Sequence, residues 1–296
     1  MEGRVVPLYF PEGVDKVIGF GSSSFIGRLD NTTVSKYPRI VGEQWDRLAI
    51  EHRIYDALGS HPRILACYGM DERGLKLEYA ARGSVRDLLR DSNAALSLTR
   101  RVRVRWCRQA AEAIAYIHTK NVIHCDISTR NFLLDKKLDV KLSDFQGIYI
   151  DQNGTLFNGH ALENVKSYLP RPSTRSDAKS DLFALGTAIF EIMVGHEPFP
   201  ELDELDDEEE IEKRYIKGRF PALDGVLGGQ VIHKCWSLGT EPLYSVPCPT
   251  LVISTCSLAQ VSCTSLLACT VRLNILGRFP RASLIDPNAY LHNCRS

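Results

Sequence analysis

The segment from His124 to Gly147 constrains this chain more than any other. It reads His124-Cys125-Asp126-Ile127-Ser128-Thr129-Arg130-Asn131, then the apolar Phe132-Leu133-Leu134. The polar trio Asp135-Lys136-Lys137 follows, then Leu138 to Leu142, then Ser143-Asp144-Phe145-Gln146-Gly147. Two short apolar runs around a polar turn predict an antiparallel hairpin, 132–134 against 138–142. A centre near residue 137 sets positions 131 and 144 opposite each other, so Asn131 and Asp144 converge at its open end. An amide oxygen beside a carboxylate suits Mg²⁺, a hard cation that takes oxygen ligands and keeps some water. Asp126 lies one loop-turn earlier, placed to accept a proton from a hydroxyl nucleophile.

The residues before this segment are mostly strand-like. Val17-Ile18 lead into Gly19-Phe20-Gly21-Ser22-Ser23-Ser24, and Phe25 to Leu29 form a second strand. Asp30-Asn31 suits a hairpin turn, and Thr32 to Lys36 is β-branched. Glycines such as Gly19 and Gly21 let backbone N–H groups approach a phosphate, although alone the pattern serves equally as a plain turn. Gln44 to Leu58 spaces Trp45, Leu48, Ile50, Ile54, Tyr55 and Leu58 as a helix does, and Gly59 ends it. Strand-like pieces follow at 64–68 and 75–79.

Leu98 to Lys120 reads as a long helix whose arginines (Arg100, Arg101, Arg103, Arg105, Arg108) form a solvated face, with a binding patch as the secondary reading. Leu182 to Val194 is apolar nearly all round, so that helix must be buried, and a large helical lobe must surround it. Strands first and helices afterwards predict an α+β fold. Glu201 to Glu212 holds nine acidic residues in twelve. It reads as a solvated loop leading into a helix, with a docking patch for a basic partner as the secondary reading.

Charge totals narrow the function. Among 296 residues, Lys+Arg and Asp+Glu are both 36, which removes the electrostatic argument for nucleic acid. Met1 to Phe10 lacks the basic start and apolar run of a signal peptide. The nine Cys therefore read as free thiols of a cytoplasmic or nuclear protein, and without a CxxC pair no zinc or redox site is expected. Composition breaks near residue 237. Only six of the 72 charged residues lie in 237–296, and none from Pro242 to Val271. Three readings compete for that run: a membrane helix, a buried part of the domain, or an unspliced or frame-shifted segment. Eleven Ser, Thr or Cys among the 22 residues of 250–271 weigh against the first, and the missing periodicity favours the third.

Taken together, residues 15–236 resemble a eukaryotic-type protein kinase domain, most like the divergent protein kinase-like proteins of filamentous fungi. HxDxxxxN followed by DFxG at this spacing is highly specific. The resemblance implies a bilobal kinase fold, with a small β-rich N-lobe over about 15–79, a larger helical C-lobe over about 82–236, and a C-lobe incomplete at its end. It implies a protein substrate, ATP and Mg²⁺, with Asp126 as catalytic base, Lys36 on the α- and β-phosphates, and Glu51 orienting that Lys. Asn131 and Asp144 would hold the metal. ATP would contact Gly19, Phe20, Gly21, Ser22, Ile26, Val34, the gatekeeper Leu77, the hinge residues Glu78 and Ala80, and Leu133. Asp181 would brace the catalytic loop.

The chain departs from the family pattern in several places. Cys125 replaces an Arg that commonly receives a phosphorylated loop residue, which points to activity without such a phosphate. Ser128 replaces a Lys near the transferring phosphate. Gln146 replaces Gly, restricting the backbone there. Leu169-Pro170-Arg171 stands where Ala-Pro-Glu is typical, so the usual ion pair of that Glu cannot form. Thr155, Ser167 and Tyr168 read as unmodified loop residues. The leading function is phosphoryl transfer to a protein hydroxyl, Ser/Thr ahead of Tyr. The alternatives are a pseudokinase scaffold or a small-molecule phosphotransferase.

Overall fold

The computed structural model describes residues 9–21, 23–40, 45–172 and 175–239, with the backbone of two paired strands at 250–253 and 271–274. The first lobe begins with β1 (Lys16–Phe20), β2 (Ser24–Arg28) and β3 (Thr33–Pro38). Asp30 closes the β2–β3 turn, its Oδ1 accepting from Thr32 N at 2.7 Å and Thr33 N at 2.9 Å. Helix α1 (Trp45–Leu58) follows, then β4 (Cys67–Asp71) and β5 (Gly74–Glu78). The five strands form one antiparallel sheet in the order β1-β2-β3-β5-β4.

The strand expected at 64–68 starts later, at Cys67. Ile64 instead makes a single bridge to Leu142. Gly74 has φ 116° and lies against β3, where a Cβ would meet the Lys36 carbonyl oxygen at 2.3 Å. Only glycine fits there, and its absence of a side chain keeps β3 seated on β5.

The second lobe opens with α2 (Val85–Arg90), α3 (Ser92–Ser97) and α4 (Arg100–Thr119). Ser84 and Asp87 form a capping box on α2, and Thr99 caps α4. Then come β6 (Val122–Ile123), β7 (Phe132–Leu134), β8 (Val140–Leu142), β9 (Ile148–Ile150) and β10 (Leu156–Asn158). Strands β7 and β8 pair as a hairpin, and β10-β9-β6 form a small sheet. Helix α5 (Ala178–Val194) is buried over most of its length, as its all-round apolar surface requires. Asp177 and Ser180 cap its start, and Gly195 at φ 101° ends it. Helices α6 (Glu208–Ile216) and α7 (Gly229–Trp236) complete the described lobe.

Two of the α4 arginines are not merely solvated. Arg103 Nη1 donates to the Ile192 carbonyl near the end of α5 at 2.5 Å, and Arg105 Nη2 donates to the Leu138 carbonyl at 3.1 Å. The acidic run does lead into α6, whose first turn holds Glu208, Glu209 and Glu210. The uncharged run 242–271 lies almost wholly outside the described residues, as does the question of how the C-lobe ends. Among the described residues no helix is long and apolar enough to cross a membrane.

Candidate active site

Lys36 sits in the middle of β3 with its side chain buried. Its Nζ meets Glu51 Oε2 at 2.6 Å and Asp144 Oδ1 at 2.5 Å. Glu51 comes from the inward stripe of α1, with Leu48, Ile54, Tyr55 and Leu58, and is fully buried. A carboxylate in that stripe is costly unless paired, and Lys36 pairs it. Burial opposes the Lys36 charge, but the Asp144 and Glu51 carboxylates outweigh it and raise the pKa of the ammonium. Burial likewise pushes Glu51 up, against the pull of Lys36. Asp144 ends below the usual carboxylate value because Lys36 outweighs its loss of water.

The hairpin forms as expected but in a shifted register. Phe132 pairs with Leu142, Leu133 with Lys141 and Leu134 with Val140. Ser143, not Asp144, therefore follows opposite Asn131, and its N donates to the Asn131 carbonyl at 3.0 Å. The cause lies in the turn. Leu138 adopts φ 60° and drops out of the strand, while Asp135 Oδ1 accepts from Lys137 N at 2.8 Å and Asp139 N at 2.9 Å. Asp144 stands one residue past the ladder at φ 65°, a left-handed turn that carries it to Lys36.

The loop before β7 is fixed from below. Asp181, near the start of α5 and 1% exposed, accepts from His124 N at 2.8 Å and Cys125 N at 2.9 Å. Its Oδ2 also meets His118 Nε2 at 2.9 Å. His124 Nε2 bonds the Ser143 carbonyl at 2.9 Å, and its Nδ1 accepts from Asp126 N at 3.2 Å. Asn131 Nδ2 donates to Asp126 Oδ2 at 2.9 Å and to the Asp126 carbonyl at 2.7 Å. Burial pushes the Asp126 carboxyl up to about 6; His124 opposes the rise and the Asp144 charge adds to it.

The amide nitrogen of Asn131 is thus committed to Asp126, which leaves its side-chain oxygen as an acceptor. Asp144 keeps a side chain 41% exposed beyond its bond to Lys36. Two protein oxygens fit Mg²⁺, which is held by one or two side chains together with phosphate and water. Among the described residues no group of three or more His, Cys, Asp or Glu forms a metal cage.

Above these groups, Gly19 and Gly21 flank the β1–β2 turn, which Gly21 N closes on the Ser24 carbonyl at 2.8 Å. Phe20 projects from it, 78% exposed. Ser22 lies outside the described residues. Ile26 pairs with Lys36, and Val34 pairs with the buried Leu77. Glu78 spends its carboxylate on Lys141 Nζ at 2.8 Å, tying the lobes, and Ala80 begins the connection to α2. Leu133 is half-buried on β7 and bridges to Ser84.

A family model for protein tyrosine and serine/threonine kinases matches residues 39–242. The chain belongs to that family. A kinase domain is accordingly the frame for the two lobes, with a β-sheet N-lobe and a helical C-lobe. Among curated relatives, an Aurora kinase of Patiria pectinifera is 37% identical over 146 residues, 47% of this chain and 35% of its own length. The serine/threonine-protein kinase Aurora-1 of Arabidopsis thaliana is 32% identical over 153 residues, 49% of this chain and 50% of its own. The tyrosine-protein kinase csk-1 of Caenorhabditis elegans is 28% identical over 197 residues, 62% of this chain and 35% of its own. The chain spans a third to a half of the length of these relatives.

The departures from the kinase pattern have local answers. Cys125 is buried, and burial pushes its thiol up to about 12, so it is an inert loop residue. Arg171, where Glu is typical, makes an ion pair of opposite polarity with Glu163 and stacks over Tyr168 at 4.9 Å. Ser167 is buried and Tyr168 half-buried. Lys166, unremarkable in sequence, is 2% exposed and bonds Glu197 Oε1 at 2.9 Å and the Leu202 carbonyl at 2.7 Å. Ser128 is buried with no partner for its hydroxyl among the described residues. Isolated charged residues in a loop carry no periodicity, so nothing in the sequence flagged Glu163 or Lys166.

Proposed function

We propose that this kinase domain transfers the γ-phosphate of ATP to a protein hydroxyl, with Ser/Thr ahead of Tyr as acceptor. The observation that carries the reading is the convergence of Lys36, Glu51 and Asp144 above a catalytic loop braced by Asp181. Phosphoryl transfer asks little covalent chemistry of a protein. It asks for in-line positioning and neutralised charge.

Lys36, held protonated, supplies a cation for the α- and β-phosphates, and Glu51 aims it. The turn at Gly19 to Gly21 covers the phosphates, and adenine lies against Ile26, Val34, Leu77, Leu133 and the backbone of 78–80. Asn131 and Asp144 would hold Mg²⁺, which would offset the charge of the phosphates. Asp126, oriented by the Asn131 amide, takes the proton of the acceptor hydroxyl. The relatives include both serine/threonine and tyrosine kinases, so acceptor class rests on Ser/Thr kinases such as the Aurora relatives. The likeness to kinase-like proteins of filamentous fungi and a cytoplasmic or nuclear setting complete the reading.

The test is phosphate transfer from labelled ATP and Mg²⁺ to generic protein substrates, comparing the chain with Asp126→Ala. Loss of a general base costs about 10²- to 10⁴-fold, so label should collapse in the variant. Equal transfer by both, or by neither, would overturn the reading.

A further inference from the structure

The residue after Asp144-Phe145 is Gln146, and its side chain is used. Its Nε2 donates to Glu51 Oε2 at 3.3 Å, the same oxygen that accepts from Lys36 Nζ at 2.6 Å. The other Glu51 oxygen, Oε1, has no partner among the described residues, so these two donors are what its buried carboxylate has. Gln146 is also held through its backbone. Its carbonyl accepts from Ala161 N at 2.9 Å, and the next carbonyl, of Gly147, accepts from Gly159 N at 2.9 Å. Phe145 anchors the segment between them, fully buried, edge-on to Tyr55 of α1 at 5.0 Å and near His124 at 5.2 Å.

One residue thus bridges three parts: α1 through its side-chain bond to Glu51, the Asp144 turn through the chain, and the segment at 159–161 through its backbone carbonyl on Ala161 N. That segment continues directly to Glu163, the partner of Arg171. A glycine at 146 offers no side chain to reach α1.

We propose that Gln146 is a positioning residue that holds Glu51, and with it Lys36, in the geometry for phosphoryl transfer, so that α1 is seated without a modification of the loop. The proposal rests on the kinase reading above. Its physical basis is that a buried carboxylate with one unpaired oxygen depends on each remaining donor. Groups facing Glu51 are Lys36 from β3, Tyr55 from its own helix, and Asp144 and Gln146 from the segment after β8.

The variant is Gln146→Met, which keeps length and loses the donor. In the full chain, hydrogen exchange should quicken several-fold in α1 and at 159–161 of Gln146→Met while α4 stays as it was. The KM for ATP should rise about tenfold with a smaller change in kcat, the size expected for one hydrogen bond to a charged group. A structural loss alone gives no such split between KM and kcat. Unchanged α1 exchange in Gln146→Met, or a kcat that falls as far as KM rises, overturns the proposal. If neither the variant nor the parent transfers phosphate, the kinase reading fails, and the exchange result still decides Gln146.

Discussion

Asp126 is asked to be both half-buried and charged. Burial raises its carboxyl to about 6, which brings a proton acceptor close to working pH at the cost of stability. Two outcomes follow from that one value. kcat should climb as pH rises through about 6, because only the ionised form accepts a proton; a profile flat from pH 5 to 8 would remove Asp126 from the role. Stability should move the other way. A carboxyl whose folded value lies above its unfolded one favours the folded state fully only below the unfolded value, and that contribution is lost as pH rises past about 6. Asp126→Asn should then lose activity by about 10²- to 10⁴-fold. It should melt no lower than the parent at pH 7.5, with its advantage shrinking toward pH 4. Thermal melts of the pair at both pH values check it, and a lower melting point at pH 7.5 would contradict the sign. Residue type and spacing pointed to Asp126 and Asn131, and the kinase resemblance pointed to Lys36. The side-chain bond of Gln146 was not, because sequence showed only that a glycine was missing and not what the replacement could reach.

At the scale of elements, patterning carried furthest where one period dominated. The apolar run of α5 demanded burial, and burial is what it has. Hairpin β7–β8 was legible from its two apolar runs, but its register was not. A single left-handed residue, Leu138, and one capping carboxylate, Asp135, set the turn length, and neither leaves a periodic trace. Close approach between helices is equally silent in sequence. Gly186 of α5 faces α7, where an added Cβ would lie 2.6 Å from Cys235 Cβ and 3.4 Å from Trp236 Cδ1. Trp236 is fully buried there, with its Nε1 donating to Thr187 Oγ1 at 3.1 Å. Gly186→Ala should therefore push α7 outward and cost about 1–3 kcal/mol, the usual range for overpacking a close contact. Denaturant unfolding followed by tryptophan fluorescence measures it. A variant as stable as the parent would mean that α7 shifts without penalty.

The whole molecule places the groups of its site on two bodies. Lys36 and Glu51 belong to the sheet lobe; Asp126, Asn131 and Asp144 belong to the helical one. What joins them includes the Ile64–Leu142 bridge, the Arg63–Glu112 and Glu78–Lys141 ion pairs, the Tyr55–Phe145 ring contact, and the bonds from Gln146 to Glu51 and from Lys36 to Asp144. A ligand that binds both lobes at once should stabilise the folded state by RT ln(1 + [L]/Kd), about 2.7 kcal/mol at a hundredfold excess over Kd. ADP with Mg²⁺ should then raise the melting temperature more than ADP with EDTA, because only the metal recruits Asn131 and Asp144. Asp144→Asn should erase the metal-dependent part and keep the adenine-dependent part, since the proposed adenine contacts are residues 26, 34, 77 and 133. Lys36→Met should weaken both, for it removes the cation the phosphates meet and leaves Glu51 buried without its principal partner. If ADP shifts the parent chain equally with and without Mg²⁺, the pairing of Asn131 with Asp144 as metal ligands is wrong. If ADP shifts nothing at all, the two lobes do not close on a nucleotide.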